Sequence, residues 1–308
     1  MAGVPTSPLD IHGIPWTIYE RGLDKITLTT VEKVFNFIPK LYNVQSKKSR
    51  QIIERSYAGV TEATDWNPNG EPIPTSTINS RYKILAENGW IGNSVAYTLD
   101  MKTFDENDLM TNMAADLANS IATRKQKVAV GFLCSGFGIN WNDEAAEPLF
   151  CTTHKLDPRY AGGNATASNL VVGAPSVGSL CDAINLLVNT PDDLGNPGTY
   201  NPRFVLCHPS KYLEWKMIIG DNRGKSDTNN HTINPFEEYS ITPVACPWIV
   251  DDKMWFLYSD KHGLVWNDVV GFKSVMDTDA KTQVTTHLAY SCFTRYARDW
   301  RGIVASQG

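Results

Sequence analysis

A chain of 308 residues that is 42% hydrophobic and 20% charged is ordinary globular material, enough for about two modest domains with a real core. Its net charge of -5 and pI near 5.7 argue against a dominant phosphate-binding surface. No apolar run reaches the ~18 residues of a membrane span and no charged-then-apolar leader opens the chain, so the sequence indicates neither a span nor a secretory signal.

Residues 1–28 carry Pro5, Pro8 and Pro15 among single aromatics and show no sustained period, so they read as an extended arm. Thr29 and Glu32 then open a short amphipathic helix with Val31, Val34, Phe35 and Ile38 on one face, stopped at Pro39. Lys47, Lys48, Arg50 and Arg55 follow as a small basic cluster that reads as a solvated face. From Ser56 to Met101 the pattern turns strand-like around a tip at Asn67–Ser80 with four turn-forming elements: Pro68, Asn69-Gly70, Pro72 and Pro74. The return limb alternates at Tyr82 and Ile84, then at Val95, Tyr97, Leu99 and Met101. This reads as a long two-stranded excursion. Such a ribbon is marginal alone in water, so one with Trp66 and Trp90 beside it is expected to lie on another surface. The other reading makes it part of an ordinary sheet within its own subunit.

Thr103 to Lys127 satisfies every sequence test for a helix. Leu109, Met110, Met113, Ala114, Leu117, Ala118, Ile121 and Ala122 form two adjacent rows and hence one apolar stripe. Thr103 and Glu106 fit a capping box, with Asp105, Glu106 and Asp108 at the positive end of the dipole and Arg124, Lys125 and Lys127 at the negative end. The segment reads as a spine lying across a domain. An apolar run, Val128–Leu133, and a loop to Glu147 follow it.

A second helix is expected from Val177 to Asn189, capped by Ser176, with Val177, Leu180, Cys181, Ile184, Leu187 and Val188 inward. Arg203–Cys207 reads as a buried strand, Pro209–Ile219 as a third helix and Gly220–Asn234 as a mobile loop. Ile241–Val244, Trp248–Val250, Met254–Tyr258, Leu264–Trp266 and Thr285–Ala297 read as strands, so the fold class is α+β.

Nothing converges on catalysis. Cys151 and His154 are spaced like half a zinc site, but no second C-x-x-C or H-x-x-x-H pair exists, so no metal is expected. Ala174-Pro175-Ser176-Val177-Gly178 resembles a nucleophile elbow, yet Ser176 is equally a helix cap. Asp251-Asp252 is expected in a tight turn. Both common nucleotide-binding glycine motifs are missing. The six cysteines, at 134, 151, 181, 207, 246 and 292, read as small buried hydrophobes rather than a disulfide framework.

The middle and end of the chain resemble the major capsid proteins of tailed bacteriophages, with the HK97-like fold, in the branch similar to the Mu-like major head subunit. The residues that carry this are Leu149-Phe150, Thr152, His154, Gly162-Gly163, Asn164 and Asn169. They continue through the helix at 177–189, its exit Asp193-Leu194-Gly195-Asn196-Pro197, the strand Pro202–Pro209, Trp255-Phe256-Leu257 and the closing Asp299-Trp300-Arg301-Gly302. The resemblance implies an N-terminal arm at 1–48, a two-stranded E-loop at 49–100, a peripheral (P) domain with the spine helix at 101–131 and a C-terminal strand at 286–308, and an axial (A) domain with connecting segments at 132–285.

It further implies a structural protein, not an enzyme, that self-assembles into hexamers and pentamers of an icosahedral shell around double-stranded DNA, located in the virion and assembled in the host cytoplasm. The implied partners are copies of itself, a separate scaffolding protein (the 48-residue arm being short for a built-in one), a portal and decoration proteins, with DNA contacted non-specifically and no cofactor or membrane. Trp66 and Trp90 are the candidate inter-subunit anchors. Lys83 is the only lysine between Ser56 and Met101, and nothing singles it out for cross-linking, so covalent chainmail is not expected. A decoration or tail-tube subunit and an α/β-type hydrolase are the alternatives.

Overall fold

The computed structural model describes residues 16–33, 36–57, 59, 60, 63–67, 69, 70, 72–76, 78, 80–104, 108–142, 144, 146–157, 165–220 and 236–308. Its helices are α1 (Trp16–Lys33), α2 (Ile38–Leu41), α3 (Leu99–Thr103), α4 (Leu109–Ser135), α5 (Val177–Val188) and α6 (Tyr212–Ile219). Its strands are β1 (Asn43–Gln45), β2 (Gln51–Tyr57), β3 (Ser80–Glu87), β4 (Gly89–Tyr97), β5 (Asn140–Asn142), β6 (Glu147–Pro148), β7 (His154–Lys155), β8 (Thr166–Ala167) and β9 (Leu170–Val171), followed by β10 (Pro202–Cys207), β11 (Thr242–Ala245), β12 (Trp255–Ser259), β13 (Leu264–Thr278), β14 (Thr285–Ala297) and β15 (Ile303–Ser306). They form two compact units, one from Met1–Gln51, Glu87–Ala129 and Trp266–Thr294, the other from Ile52–Ala86, Val130–Val265 and Arg295–Gly308.

In the first unit, helix α4 carries most of the apolar rows expected of it: Met110, Ala114, Ala118 and Ala122 are buried, as are Leu117, Ile121 and Ala129, while Met113 is half-buried and Leu109, at the start of the helix, is exposed. Its ends differ from the sequence reading. Thr103 closes α3 instead of capping the spine, its hydroxyl donating to the Leu99 carbonyl at 2.8 Å, while Asp105 and Glu106 lie outside the described residues. The helix then runs on through Val128–Leu133, because those residues continue the same buried rows. Arg124, Lys125 and Lys127 are therefore mid-helix, and Lys125 pairs with Asp268 at 3.2 Å. Gln126 falls in an apolar row but both ends of its amide are bonded: its side-chain oxygen accepts the Phe37 N–H at 3.1 Å and its amide nitrogen donates to Asn36 at 2.8 Å. Those bonds pin the start of α2.

The arm is the largest local correction. Residues 16–28, expected to be extended, are helical and run on to Lys33 in one helix, so Thr29 lies inside a helix rather than opening one, and Leu23 and Thr27, one turn apart, are buried. Leu23 packs with Tyr97, Met110 and Ala114. An 18-residue helix with little apolar periodicity is marginal by itself, so this packing decides its state where propensity does not. Pro39 likewise stands in the first turn of α2 rather than ending a helix, where its missing N–H costs nothing. Val34 and Phe35 lie outside the described residues. The sheet of this unit has the order β1-β13-β14-β4, and β4 runs antiparallel to β14 with Trp90 opposite Cys292 and Tyr97 opposite Thr285. Val95 and Tyr97 thus belong to this sheet and not to the return limb of a ribbon, and Leu99 and Met101 are helical.

The second unit is built on a five-stranded sheet of order β11-β10-β12-β15-β9, with parallel pairs at β10/β11 and β15/β9 and antiparallel pairs between. One face, Val205, Cys207, Trp255, Leu257 and Val304, packs with Leu180, Ala183, Ile184 and Leu187 of α5 and Trp215 of α6. Val177 and Val188, expected inward, are exposed, because the buried stripe of α5 runs through Ala183 instead. On the other face Phe256 meets Phe150 and Phe137 at ring distances of 5.6 and 6.0 Å. β12 is buried at every position, as a strand covered on both faces must be. Trp248–Val250 forms no strand, and 221–235, which holds nearly all of the expected loop, lies outside the described residues.

Candidate assembly surfaces

Among the described residues, strands β2 and β3 pair only with each other. Their inward positions are occupied by Ile52, Ile84 and Ala86, which cluster with Val265 and Tyr296. Alternation then forces the neighbouring apolar residues outward: Ile53 is 57% exposed, Tyr57 64% and Leu85 53%. Gln51 bonds Glu87 and the Tyr82 N–H bonds Ser56, which places Ile53 across from Leu85. The outer side of the two-stranded ribbon thus carries Ile53, Tyr57 and Leu85 among the exposed Gln51, Arg55, Lys83 and Glu87, and Val60, Ile73 and Ile78 are also exposed in the segment that joins the strands. Lys83 is exposed on this face, with its backbone N–H donating to Glu144 at 2.7 Å.

The two tryptophans singled out from the sequence fall in different units. Trp66 lies in the segment joining β2 to β3 and is 44% exposed. Trp90 lies on β4, an edge strand, is 67% exposed and has Tyr290 beside it at 6.1 Å. The outward trio Ile53, Tyr57 and Leu85 escaped the sequence reading. Ile52-Ile53 is an adjacent apolar pair, and only the register says which member is buried.

The segment before β7 draws three side chains together. Glu147, Cys151 and His154 each offer one atom within 4.8 Å of the others, so the Cys-x-x-His pair finds a third group that spacing alone did not reveal. His154 is fully buried and stacks on Trp300 at 4.1 Å and 7°. Burial holds its pKa below the ordinary value, against the opposing hydrogen bonds from Asn169 and Glu147. Beyond it, Arg301 donates to Asp299 at 3.0 Å, Asp193 at 2.9 Å and the Pro191 carbonyl at 2.7 Å. Burial works against that charge, but the two carboxylates outweigh it and raise the guanidinium pKa. Gly302 holds φ at +83°, and a side chain there would run into the Lys261 carbonyl. The short segment Asp299 to Gly302 is thus a packing lock. Gly162, Gly163 and Asn164 lie outside the described residues.

The elbow-like serine is a cap. Ser176 accepts the Ser179 N–H at 3.0 Å, and Ser179 returns a bond to the Ser176 N–H. Ser176→Ala is expected to cost about 0.5–2 kcal/mol of stability and nothing else, which denaturation curves and an assembly assay on the same sample will read. Asp251 accepts the Lys253 N–H at 3.0 Å and, through its carbonyl, the Met254 N–H at 3.2 Å, so this pair makes the expected turn. All six cysteines are free, and among the described residues no helix is long and apolar enough to cross a membrane.

A family model described as phage capsid protein matches residues 84–306. Among curated proteins, none matches the sequence. Solved structures agree on the fold. The capsid structure of cyanophage P-SCSP1u has 10% identity and a TM-score of 0.57 over 87% of this chain and 87% of that one. The mature capsid of bacteriophage PhiM1 has 13% identity and a TM-score of 0.54 over 86% and 84%. The virus-like particle from Pyrococcus furiosus has 10% identity and a TM-score of 0.53 over 93% and 98%. With its HK97-like α+β fold, this chain belongs to the phage capsid protein family and is a structural subunit of the virion capsid, not an enzyme.

Proposed function

We propose that this subunit is the major head protein of a tailed bacteriophage and self-assembles into hexamers and pentamers of an icosahedral shell that encloses double-stranded DNA. The observation that carries this is the outer face of the β2–β3 ribbon, where Ile53, Tyr57 and Leu85 stand in solvent while the inner face is buried. Burying a large apolar side chain stabilises by about 1.5–3 kcal/mol, and closed symmetry repeats each contact in every subunit. Weak contacts then suffice, provided they interlock.

In this reading 1–48 is the N-terminal arm and 101–131 part of the P domain, while the E-loop narrows from 49–100 to β2, β3 and the segment joining them, and β15 goes with the five-stranded sheet of the A-domain region rather than with the P domain. Trp66 and Trp90 anchor contacts between copies, because large exposed aromatics are the side chains an interface uses best once they are covered. A scaffolding protein, a portal and decoration proteins complete the set of partners, the whole assembling in the host cytoplasm. The net charge of -5 favours an inner surface that holds DNA without sticking to it.

The test is to express the chain alone and with a co-expressed scaffold, and to measure size by negative-stain microscopy and light scattering at two salt concentrations. Closed shells, or hexameric and pentameric capsomers, are expected. Discrete trimers or open rings would point to a decoration or tail-tube subunit, and a monomer under every condition, scaffold included, would overturn the proposal.

A further inference from the structure

The group formed by Glu147, Cys151 and His154 has an organiser, Asn169. Its side-chain N–H donates to the carbonyls of Leu149 at 2.9 Å and Trp300 at 3.2 Å, which fixes Oδ1 as the acceptor end of the amide. That oxygen takes two hydrogen bonds at 3.0 Å, one from the Cys151 backbone N–H and one from His154 Nε2. Asn169 therefore places an imidazole hydrogen on Nε2, which in the neutral ring leaves a lone pair at Nδ1.

That lone pair faces the Glu147 carboxylate, with Nδ1 3.2 Å from Oε2. Two acceptors at this distance repel unless a cation is shared between them. Neither can turn away cheaply, since the ring is stacked on Trp300 and the other Glu147 oxygen accepts the Lys155 N–H at 3.4 Å. The Cys151 sulfur completes the set, within 4.8 Å of a ring nitrogen of His154 and a carboxylate oxygen of Glu147. A shared proton would relieve the pair but gives the sulfur no part.

We propose that Glu147, Cys151 and His154 bind one divalent transition-metal ion of the zinc class, through a carboxylate oxygen, a thiolate and Nδ1, with water as the fourth ligand. Mixed O, S and N donors select such an ion over calcium or magnesium, which take oxygen ligands. A ligating histidine whose second N–H is held by a polar neighbour is the usual outer-shell arrangement, and Asn169 supplies it. Binding converts the Cys151 thiol to thiolate, with the proton released to solvent. The ion would tie Glu147 to the strand that carries His154, and so stiffen a segment where Asn169 already joins Cys151 to Trp300. Nothing in this depends on how the subunit assembles.

The experiment is to strip the full chain with chelator and titrate it with cobalt(II), reading absorption and near-ultraviolet circular dichroism. One equivalent is expected to produce a thiolate-to-cobalt charge-transfer band that zinc abolishes by displacement. Cys151→Ser, a near-isosteric change, should remove the band while leaving the dichroism unchanged, and Glu147→Gln should weaken binding by roughly tenfold or more. No band in the folded wild type, the same band in Cys151→Ser, or undiminished affinity in Glu147→Gln would each overturn the site. The first of these is also what a histidine and glutamate sharing only a proton would give.

Discussion

Replacing Ile53 by lysine and Leu85 by glutamate in one chain is expected to leave a folded subunit that forms no closed shells. The two residues face each other on the outer side of the ribbon, so the new charges pair across the strands and keep the ribbon itself stable. The inner cluster of Ile52, Ile84, Ala86, Val265 and Tyr296 is untouched, and exposed substitutions of this kind shift stability by about 0.5 kcal/mol or less. Assembly is affected quite differently. If a neighbouring subunit covers this face, each contact loses about 3–6 kcal/mol of apolar burial and must desolvate an ion pair as well. A shell repeats that penalty at every subunit, so its yield falls to nothing rather than by a fraction. Thermal melts and dichroism should match wild type while microscopy shows only free subunits or capsomers. Wild-type yields of intact shells would mean that the outer face of the ribbon is not an assembly surface.

What the sequence revealed and what it hid follow from the range of the forces involved. The apolar rows of α4 were legible because a helix writes its buried face at spacing three and four, and Met110, Ala114, Leu117, Ala118, Ile121 and Ala122 are all buried there. Its ends were not legible. Thr103 has the chemistry of a cap but spends it on α3, and the run to Ser135 depends on burial of Ala129, Val130 and Leu133. Helix α1 was missed for the same reason: Leu23 is held by Tyr97, Met110 and Ala114, residues some seventy to ninety positions away, and no local period records that. The ribbon was found but placed too far along the chain, since alternation at Val95 and Tyr97 looks alike whether the partner is β2 or β14. Of the candidate site, Trp66 and Trp90 were visible as large aromatics. Glu147 was not, because its nearness to His154 is set by where β6 and β7 lie.

Removing the Arg301 side chain takes the cation out of a buried ion-pair cluster. Arg301→Met is expected to destabilise the free subunit by about 3–5 kcal/mol, the range for breaking a buried ion pair by removing one partner. The side chain is only 7% exposed, and four hydrogen bonds, one of them to a backbone carbonyl, depend on its guanidinium. Its loss falls unequally on the partners. Asp299, 39% exposed, can turn to water, and Asp193 keeps Arg81 at 3.4 Å, but the Pro191 carbonyl loses the bond that Arg301 gives it. These differences favour the lower end of the range, about 3 kcal/mol, or a fall in melting temperature of roughly 6–12 °C for a unit of this size. Arg301→Lys keeps the charge but not the planar fork, so it should recover only part of the loss. Chemical denaturation of the unassembled subunit reads all three proteins. A change below 1 kcal/mol in Arg301→Met would show that the carboxylates around it are solvated in solution, and that the closing Asp299-Trp300-Arg301-Gly302 segment is held by Trp300 and the Gly302 turn instead.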